Sequence, residues 1–141
     1  AYMANLLFVL DSWPIMEWLK AREPTATKFD RLIDLAKAEN VRLLISSMNL
    51  GEVYYNSCNV WGEARVEEVI ADLDALPVHV FHPRQEDVLA AARLKARYRC
   101  SYADAFAVVL ACEFHGPVVT GDPDFLKMRD AGTVGVEWWG A

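Results

Sequence analysis

The chain has 141 residues, with 14 Lys and Arg against 20 Asp and Glu, so its formal charge is −6 and its pI lies near 5.0. That length suits one domain, and a chain of about 150 residues buries about 68–70% of its unfolded surface, enough to fold without a disulfide or metal staple. A hydrophobic content of 54% with 24% charged residues excludes intrinsic disorder, and the acidic balance excludes a coat of nucleic acid held by bulk charge, leaving only a local, metal-bridged encounter.

Leu6–Leu10 is a continuous apolar run ending at Asp11-Ser12, which reads as a strand buried on both faces in a parallel sheet. Pro14 can start a helix, and Ile15–Lys20 follow it. Thr25 is the expected N-cap of a helix reaching about Glu39, with Phe29, Leu32, Ile33 and Leu35-Ala36 at helical spacing. Arg42–Ser46 is the second buried strand, and Met48 or Asn49 opens a helix through Glu52, Val53 and Asn56. Gly62 breaks the chain before a helix at Ala64–Leu76, which Pro77 stops. Val78–Phe81 is a short strand, Glu86–Tyr98 a helix, and Ser101 caps a further helix over Tyr102–Glu113. A strand at Val118–Thr120, a short helix at Pro123–Arg129 and a last strand at Val134–Trp138 complete the order. Alternation of this kind predicts an α/β three-layer sandwich, with helices on both faces of a mostly parallel sheet of about five strands.

The longest apolar stretches, Leu6–Leu10 and Ala105–Cys112, fall far short of the roughly 18 residues that a membrane helix needs, so no membrane is expected. Cys58, Cys100 and Cys112 form no C-x-x-C pair, and their odd number fits a reducing cytoplasm. No basic flank precedes Leu6, so a secretory segment is not expected. Met3 reads as the natural start, with Ala1 and Tyr2 left from expression, and a single domain is expected over residues 3–141.

In open α/β sheets, ligands bind outside the carboxyl ends of the strands. Asp11 ends the first strand, and Asp122 lies just beyond the fourth with Asp124 close behind. Glu52 sits early in the helix after the second strand, and Asp104 in the first turn of the helix capped by Ser101. Each has a plain structural alternative: helix capping for Asp104 and Asp124, a solvated helix face for Glu52, and a turn for Asp122-Pro123. Asp11 differs, because a carboxylate directly behind an apolar strand is partly buried and needs a cation. Lys20 and Arg22, the nearest basic residues in sequence, lie more than a helical turn away. Two carboxylates about 4 Å apart repel by roughly 4 kcal/mol at an effective dielectric of 20, so four converging acids are unstable unless protonated or metallated. An all-oxygen donor set suits Mg2+ or Mn2+, and such a site suits attack of a metal-activated water on a phosphodiester.

These residues resemble the PIN-domain family of Mg2+-dependent ribonucleases. The matching pieces are Leu10-Asp11-Ser12, Glu52 in NLGEVYYN, Ser101–Ala105 in SYADA, and Thr120–Phe125 in TGDPDF. Each motif alone is weak; all four in order on these elements are specific, and they cover Leu6 to Trp138. Length and motif order look most like the VapC-type toxins of bacterial and archaeal toxin–antitoxin pairs. The resemblance implies that Asp11, Glu52, Asp104 and Asp122 are catalytic and hold one or two Mg2+ or Mn2+ ions, the first and third most directly, with Asp124 as a further candidate. It also implies orienting roles for the hydroxyls of Ser12 and Thr120. Ser101 reads as a helix cap that could also touch substrate. The implied activity is an RNA endonuclease leaving 3′-hydroxyl and 5′-phosphate ends, with a cognate antitoxin. One departure stands out: Trp13 and Pro14 follow Ser12 where the family often has a small polar residue. The indole could pack in the core, line an interface, or stack on a base.

Arg93, Lys95, Arg97 and Arg99 crowd four cations into seven residues, either as a solvated helix face or as a phosphate-gripping rim for RNA. His79-x-x-His82 and Cys112-x-x-His115 invite a zinc reading, but residues three apart on a strand face opposite ways, which spoils the first pair, and zinc is not expected. No G-x-G-x-x-G or P-loop occurs. A receiver-type phosphoacceptor domain fails because Phe81-His82-Pro83, not an aspartate, ends the third strand. The exposed setting expected for Trp61 and Tyr54-Tyr55 suits a partner surface, either a homodimer seam or a groove for an antitoxin peptide, while core and corner packing explains most of the aromatics without any partner. The alternatives to a toxin are an RNA-processing or DNA-cleaving PIN nuclease without an antitoxin, and a silent PIN-like module that binds RNA or protein. One bound Mg2+ would bring the formal charge from −6 to −4 and two would bring it to −2, so the acidity belongs largely to the site.

Overall fold

The computed structural model describes residues 6–141; the expected start at Met3 and the leftover Ala1-Tyr2 lie outside the described residues. Five parallel strands form its sheet: β1 (Leu6–Leu10), β2 (Val41–Ser46), β3 (His79–Phe81), β4 (Val118–Thr120) and β5 (Val136–Trp138). Their spatial order is β3-β2-β1-β4-β5. Between them run α1 (Ser12–Leu19), α2 (Thr25–Lys37), α3 (Ser47–Trp61), α4 (Glu63–Asp74), α5 (Gln85–Arg97), α6 (Tyr102–Phe114) and α7 (Leu126–Asp130), the last preceded by a 3-10 turn at Pro123–Phe125.

Side-chain alternation along the strands divides the core into two layers. Val9, Leu44 and Val118 face a layer that includes Ala91 of α5, Phe106 and Val108 of α6, and Met128 of α7. Leu10, Leu43, Ile45 and Val119 face Ile15 of α1, Phe29 and Ile33 of α2, Val53 of α3 and Val69 of α4. Helices α1–α4 thus cover one face and α5–α7 the other, which is the expected three-layer sandwich. Burying a side chain such as Phe29, which has no exposed surface, stabilises the fold by about 1.5–3 kcal/mol.

The chain steps outward from β1 through β2 to β3 with its helices on one face. It then returns through α5 and α6 on the other face to place β4 on the opposite side of β1. The β1–β4 junction is therefore where the winding reverses, the place at which open α/β sheets form ligand crevices.

Several sequence expectations shift. Only the second half of β1 is buried on both faces, because three-residue β4 pairs with Val9 and Leu10 and leaves Leu6 exposed. Helix α1 begins at Ser12, directly after Asp11, and Pro14 falls in its first turn, where a missing N–H costs nothing. Thr25 is the first helical residue of α2 and not its cap; the flanking position is Pro24, which makes no side-chain capping bond. Helix α3 starts at Ser47, before Met48 and Asn49, because the Ser46 hydroxyl accepts the Met48 N–H at 3.2 Å. Among the described residues, no helix is long and apolar enough to cross a membrane.

Candidate active site

Asp11 occupies the junction between β1 and α1, yet its carboxylate does not cap the helix. It turns inward instead and is 1% exposed. Thr120, at the end of β4, donates its hydroxyl to Asp11 Oδ2 at 2.8 Å, and Asn49 Nδ2, in the first turn of α3, lies 3.4 Å from Oδ1. The Thr120 hydroxyl also accepts the backbone N–H of Asp122 at 3.0 Å, so one side chain ties Asp11 to the loop that carries Asp122.

Asp104 is held by a reciprocal capping box. Its backbone N–H donates to Ser101 Oγ and its carboxylate accepts the Ser101 N–H, each at 3.0 Å. The capping and site readings of Asp104 are therefore compatible: one oxygen serves the cap, and the residue is still buried at 3% exposure beside Asp11. One carboxylate oxygen each from Asp11, Asp104 and Asp122 lie within 4.8 Å of one another. Glu52 stands outside this tight group but lines the same cleft of about 380 Å³; the Ser12 hydroxyl donates to its Oε1, and the Tyr55 hydroxyl lies 3.4 Å from its Oε2. Asp124 is exposed on the cleft wall, and its N–H is bonded to Asp122 Oδ1 at 2.9 Å.

The electrostatics follow from this crowding. Burial, and then the neighbouring Asp104 charge, push the Asp11 carboxyl well above the usual carboxylate range, against the opposing bond from Thr120. Burial also pushes Asp104 up to about 7, with Asp122 and Glu52 adding to the shift while its bonds to Ser101 oppose it. Among the described residues, none of the four acids forms an ion pair. Buried, close-set carboxylate oxygens without a counter-charge fit a hard divalent cation such as Mg2+ or Mn2+.

Residues 8–131 match the family model described as the PIN domain. The chain belongs to the PIN-domain family. A search among curated proteins finds no match. Among solved structures, this PIN domain is similar to VapBC2 from Rickettsia felis bound to a promoter DNA fragment, with TM-score 0.70 and 15% identity over 95% of this chain and 99% of the other. It is similar to DNA-bound VapBC from Salmonella typhimurium, with TM-score 0.68 and 18% identity over 95% and 98% of the two chains. It is also similar to VapBC-1 from nontypeable Haemophilus influenzae, with TM-score 0.64 and 16% identity over 96% and 98%. At these identities the likeness is one of fold.

The basic run falls elsewhere on this PIN domain. Arg93, Lys95, Arg97 and Arg99 are exposed and none lines the acidic cleft; Lys95 Nζ instead donates to the Cys100 carbonyl at 3.0 Å, tying α5 to the residue before Ser101. Among the described residues, the cation that lines the cleft is Lys20, although it stands more than a helical turn from Asp11 in sequence. Its placement follows from helical spacing, since Trp13, Met16, Glu17 and Lys20 share one face of α1. Asn49 was also missed as a site residue. It is fully buried, bridges Asp11 and the Ala103 carbonyl, and its own Oδ1 has no partner among the described residues. The available signal was its position three before Glu52, on the same face of the helix.

Proposed function

We propose that this PIN domain is a divalent-metal-dependent endoribonuclease, acting in the cytoplasm as the toxin of a toxin–antitoxin pair, with residues 3–141 forming a single nuclease domain. The observation that carries the reading is the convergence of Asp11, Asp104 and Asp122 within 4.8 Å at the winding reversal of the sheet, with no cationic side chain among the described residues paired to them. Asp11, Asp104 and Asp122 would hold Mg2+ or Mn2+, with Glu52 and then Asp124 as further carboxylates on the cleft. When bound, such an ion supplies an activated water and stabilises charge on the phosphoryl oxygens.

The chain's own side chains do the positioning. Thr120 and Asn49 fix the two oxygens of Asp11 in direction, Ser12 orients Glu52, and Ser101 holds Asp104 by both ends of its capping box. Burial around Asp11 and Asp104 restricts water to the cleft side of the cluster and strengthens the interaction of these carboxylates with a cation.

The antitoxin partner is supported by the fold shared with the VapBC assemblies. A homodimer is supported by the apolar surface that Tyr54 and Tyr55 leave exposed on α3. Three free cysteines accord with the reducing compartment.

The test is cleavage of a mixed RNA panel by the purified chain in Mg2+, Mn2+ or EDTA, beside Asp104→Asn. Cleavage that needs the divalent ion and Asp104 is the expected result. Equal cleavage by both proteins, or cleavage indifferent to EDTA, would overturn it, and cleavage of DNA alone would move the assignment to a DNA nuclease. A small antitoxin-like reading frame beside the gene is the further observation expected of a toxin.

A further inference from the structure

The acidic cluster accounts for only part of its cleft. Helices α1 and α3 both leave the carboxyl edge of the parallel sheet, from β1 and β2, so they depart in the same direction and pack side by side. Beneath them the Ser57 hydroxyl meets Met16 Sδ at 3.8 Å, closing the floor. Above that contact, two stripes at helical spacing face each other across the cleft: Trp13, Glu17 and Lys20 from α1 and its C-cap, and Asn56, Asn59 and Val60 from α3. At 1.5 Å rise per residue, the α1 stripe carries the cleft about 12 Å beyond Ser12.

The chemistry of this extension differs from that of the acids. Trp13 is half-buried and its indole is held against residue 121, where the absent side chain makes room for it; a Cβ there would sit 2.4 Å from Cζ2 of the ring. The ring is thus clamped on one side and borders the cleft on another. Lys20 forms no ion pair with any described residue, whereas neighbouring Glu17 is engaged by Arg22 at 3.4 Å. The side-chain amides of Asn56 and Asn59 make no hydrogen bond among the described residues, leaving donors and acceptors open to a ligand. A fixed aromatic face, free amides and one cation are the groups that hold an unpaired nucleotide by stacking, base-edge hydrogen bonds and phosphate contact. A duplex offers no free base face to such a ring.

We propose that the trough between α1 and α3 binds single-stranded RNA next to the acidic cluster, with Trp13 as the stacking platform for a base flanking the scissile phosphate, Asn56 and Asn59 reading that base, and Lys20 contacting the adjoining phosphate. The word scissile rests on the nuclease reading; the strand-binding trough does not. A protein segment in the trough is the competing occupant.

Binding is measured with fluorescently labelled mixed-sequence RNA 12-mers, single-stranded or annealed to complement, in Mg2+ and in an Asp104→Asn background that blocks cleavage. Trp13→Leu, Trp13→Phe and Lys20→Gln are introduced singly, with circular dichroism melts to verify folding. The single strand is expected to bind more tightly than the duplex. Trp13→Leu is expected to raise Kd roughly 5- to 150-fold, with Trp13→Phe retaining most of the affinity. Lys20→Gln is expected to lower the salt slope by about 1 or slightly less. In the native background, Asn59→Ala is expected to redistribute the cleavage positions. Unchanged Kd in folded Trp13→Leu, equal binding of duplex and single strand, or no RNA binding by the parent overturns the trough. Metal-dependent cleavage together with Trp13-independent binding refutes the trough and keeps the nuclease; Trp13-dependent binding without any cleavage by the native chain refutes the nuclease and keeps the trough.

Discussion

Thr120 and Asp11, 109 residues apart in sequence, meet in a 2.8 Å hydrogen bond between neighbouring strand ends. The same hydroxyl accepts the Asp122 N–H at 3.0 Å, so a single oxygen sets the spacing of two of the three clustered acids. Thr120→Val keeps the approximate volume and removes both bonds. It is expected to cost about 1–3 kcal/mol, because a buried Asp11 oxygen loses its donor, and to weaken Mn2+ binding in the same protein. Urea unfolding and titration calorimetry check the two effects. A variant that is destabilised but binds Mn2+ as tightly as the parent would separate folding from site geometry.

Asp104→Asn trades activity for stability. The amide oxygen can still accept the Ser101 N–H, so the cap survives, while one of the crowded negative charges is removed. The expected outcome is loss of metal-dependent cleavage together with a higher Tm than the parent at about pH 8 in EDTA. Scanning calorimetry with and without Mg2+ measures this, and a lower Tm in EDTA would contradict the crowding argument.

The pH dependence has a definite sign. Asp104 titrates near 7 in the folded chain against 3.8 as an ordinary carboxyl, and Asp11 is shifted the same way. Between those limits the folded chain binds more protons than the unfolded chain, so stability falls as pH rises from the ordinary carboxyl range through about 7. In EDTA, Tm is expected to drop between about pH 5 and pH 8. Saturating Mg2+ should flatten the drop, and its binding near pH 7 should release protons that calorimetry in two buffers detects.

Gly121 and Trp13 should be energetically coupled. Gly121→Ala places a methyl group 2.4 Å from the indole and is expected to destabilise by about 1–3 kcal/mol. In a Trp13→Leu background, where the ring is gone, the same change should cost much less. A double-mutant cycle from urea denaturation gives the coupling, and simple additivity would show that the glycine is needed for another reason.

The parts of the site that were legible in the sequence are those written within a few residues. Ser101 and Asp104 form their capping box because N-cap and third helical residue are neighbours on any helix. Asp11 was readable as a buried acid because five apolar residues precede it. Less legible were helix starts governed by a neighbour's side chain: Ser46 moves the start of α3 forward to Ser47 through its hydroxyl, and no periodicity marks that choice. The Arg93–Arg99 run reads as a rim because cations and acids are close in sequence, yet α5 and the turn after it carry it outside the cleft lining.

Hydrophobic period, strand–helix alternation and four acidic motifs, all local properties of the chain, determined the sandwich and nominated its acids. Only the tertiary structure decided that Asp11, Asp104 and Asp122 share one small volume while Glu52 stands beside them. It alone placed Asn49 behind Asp11, brought Lys20 to the cleft and laid Trp13 over Gly121. The reason is that distances between separate segments depend on which face each crossover takes and where the winding reverses, and local spacing carries no record of either.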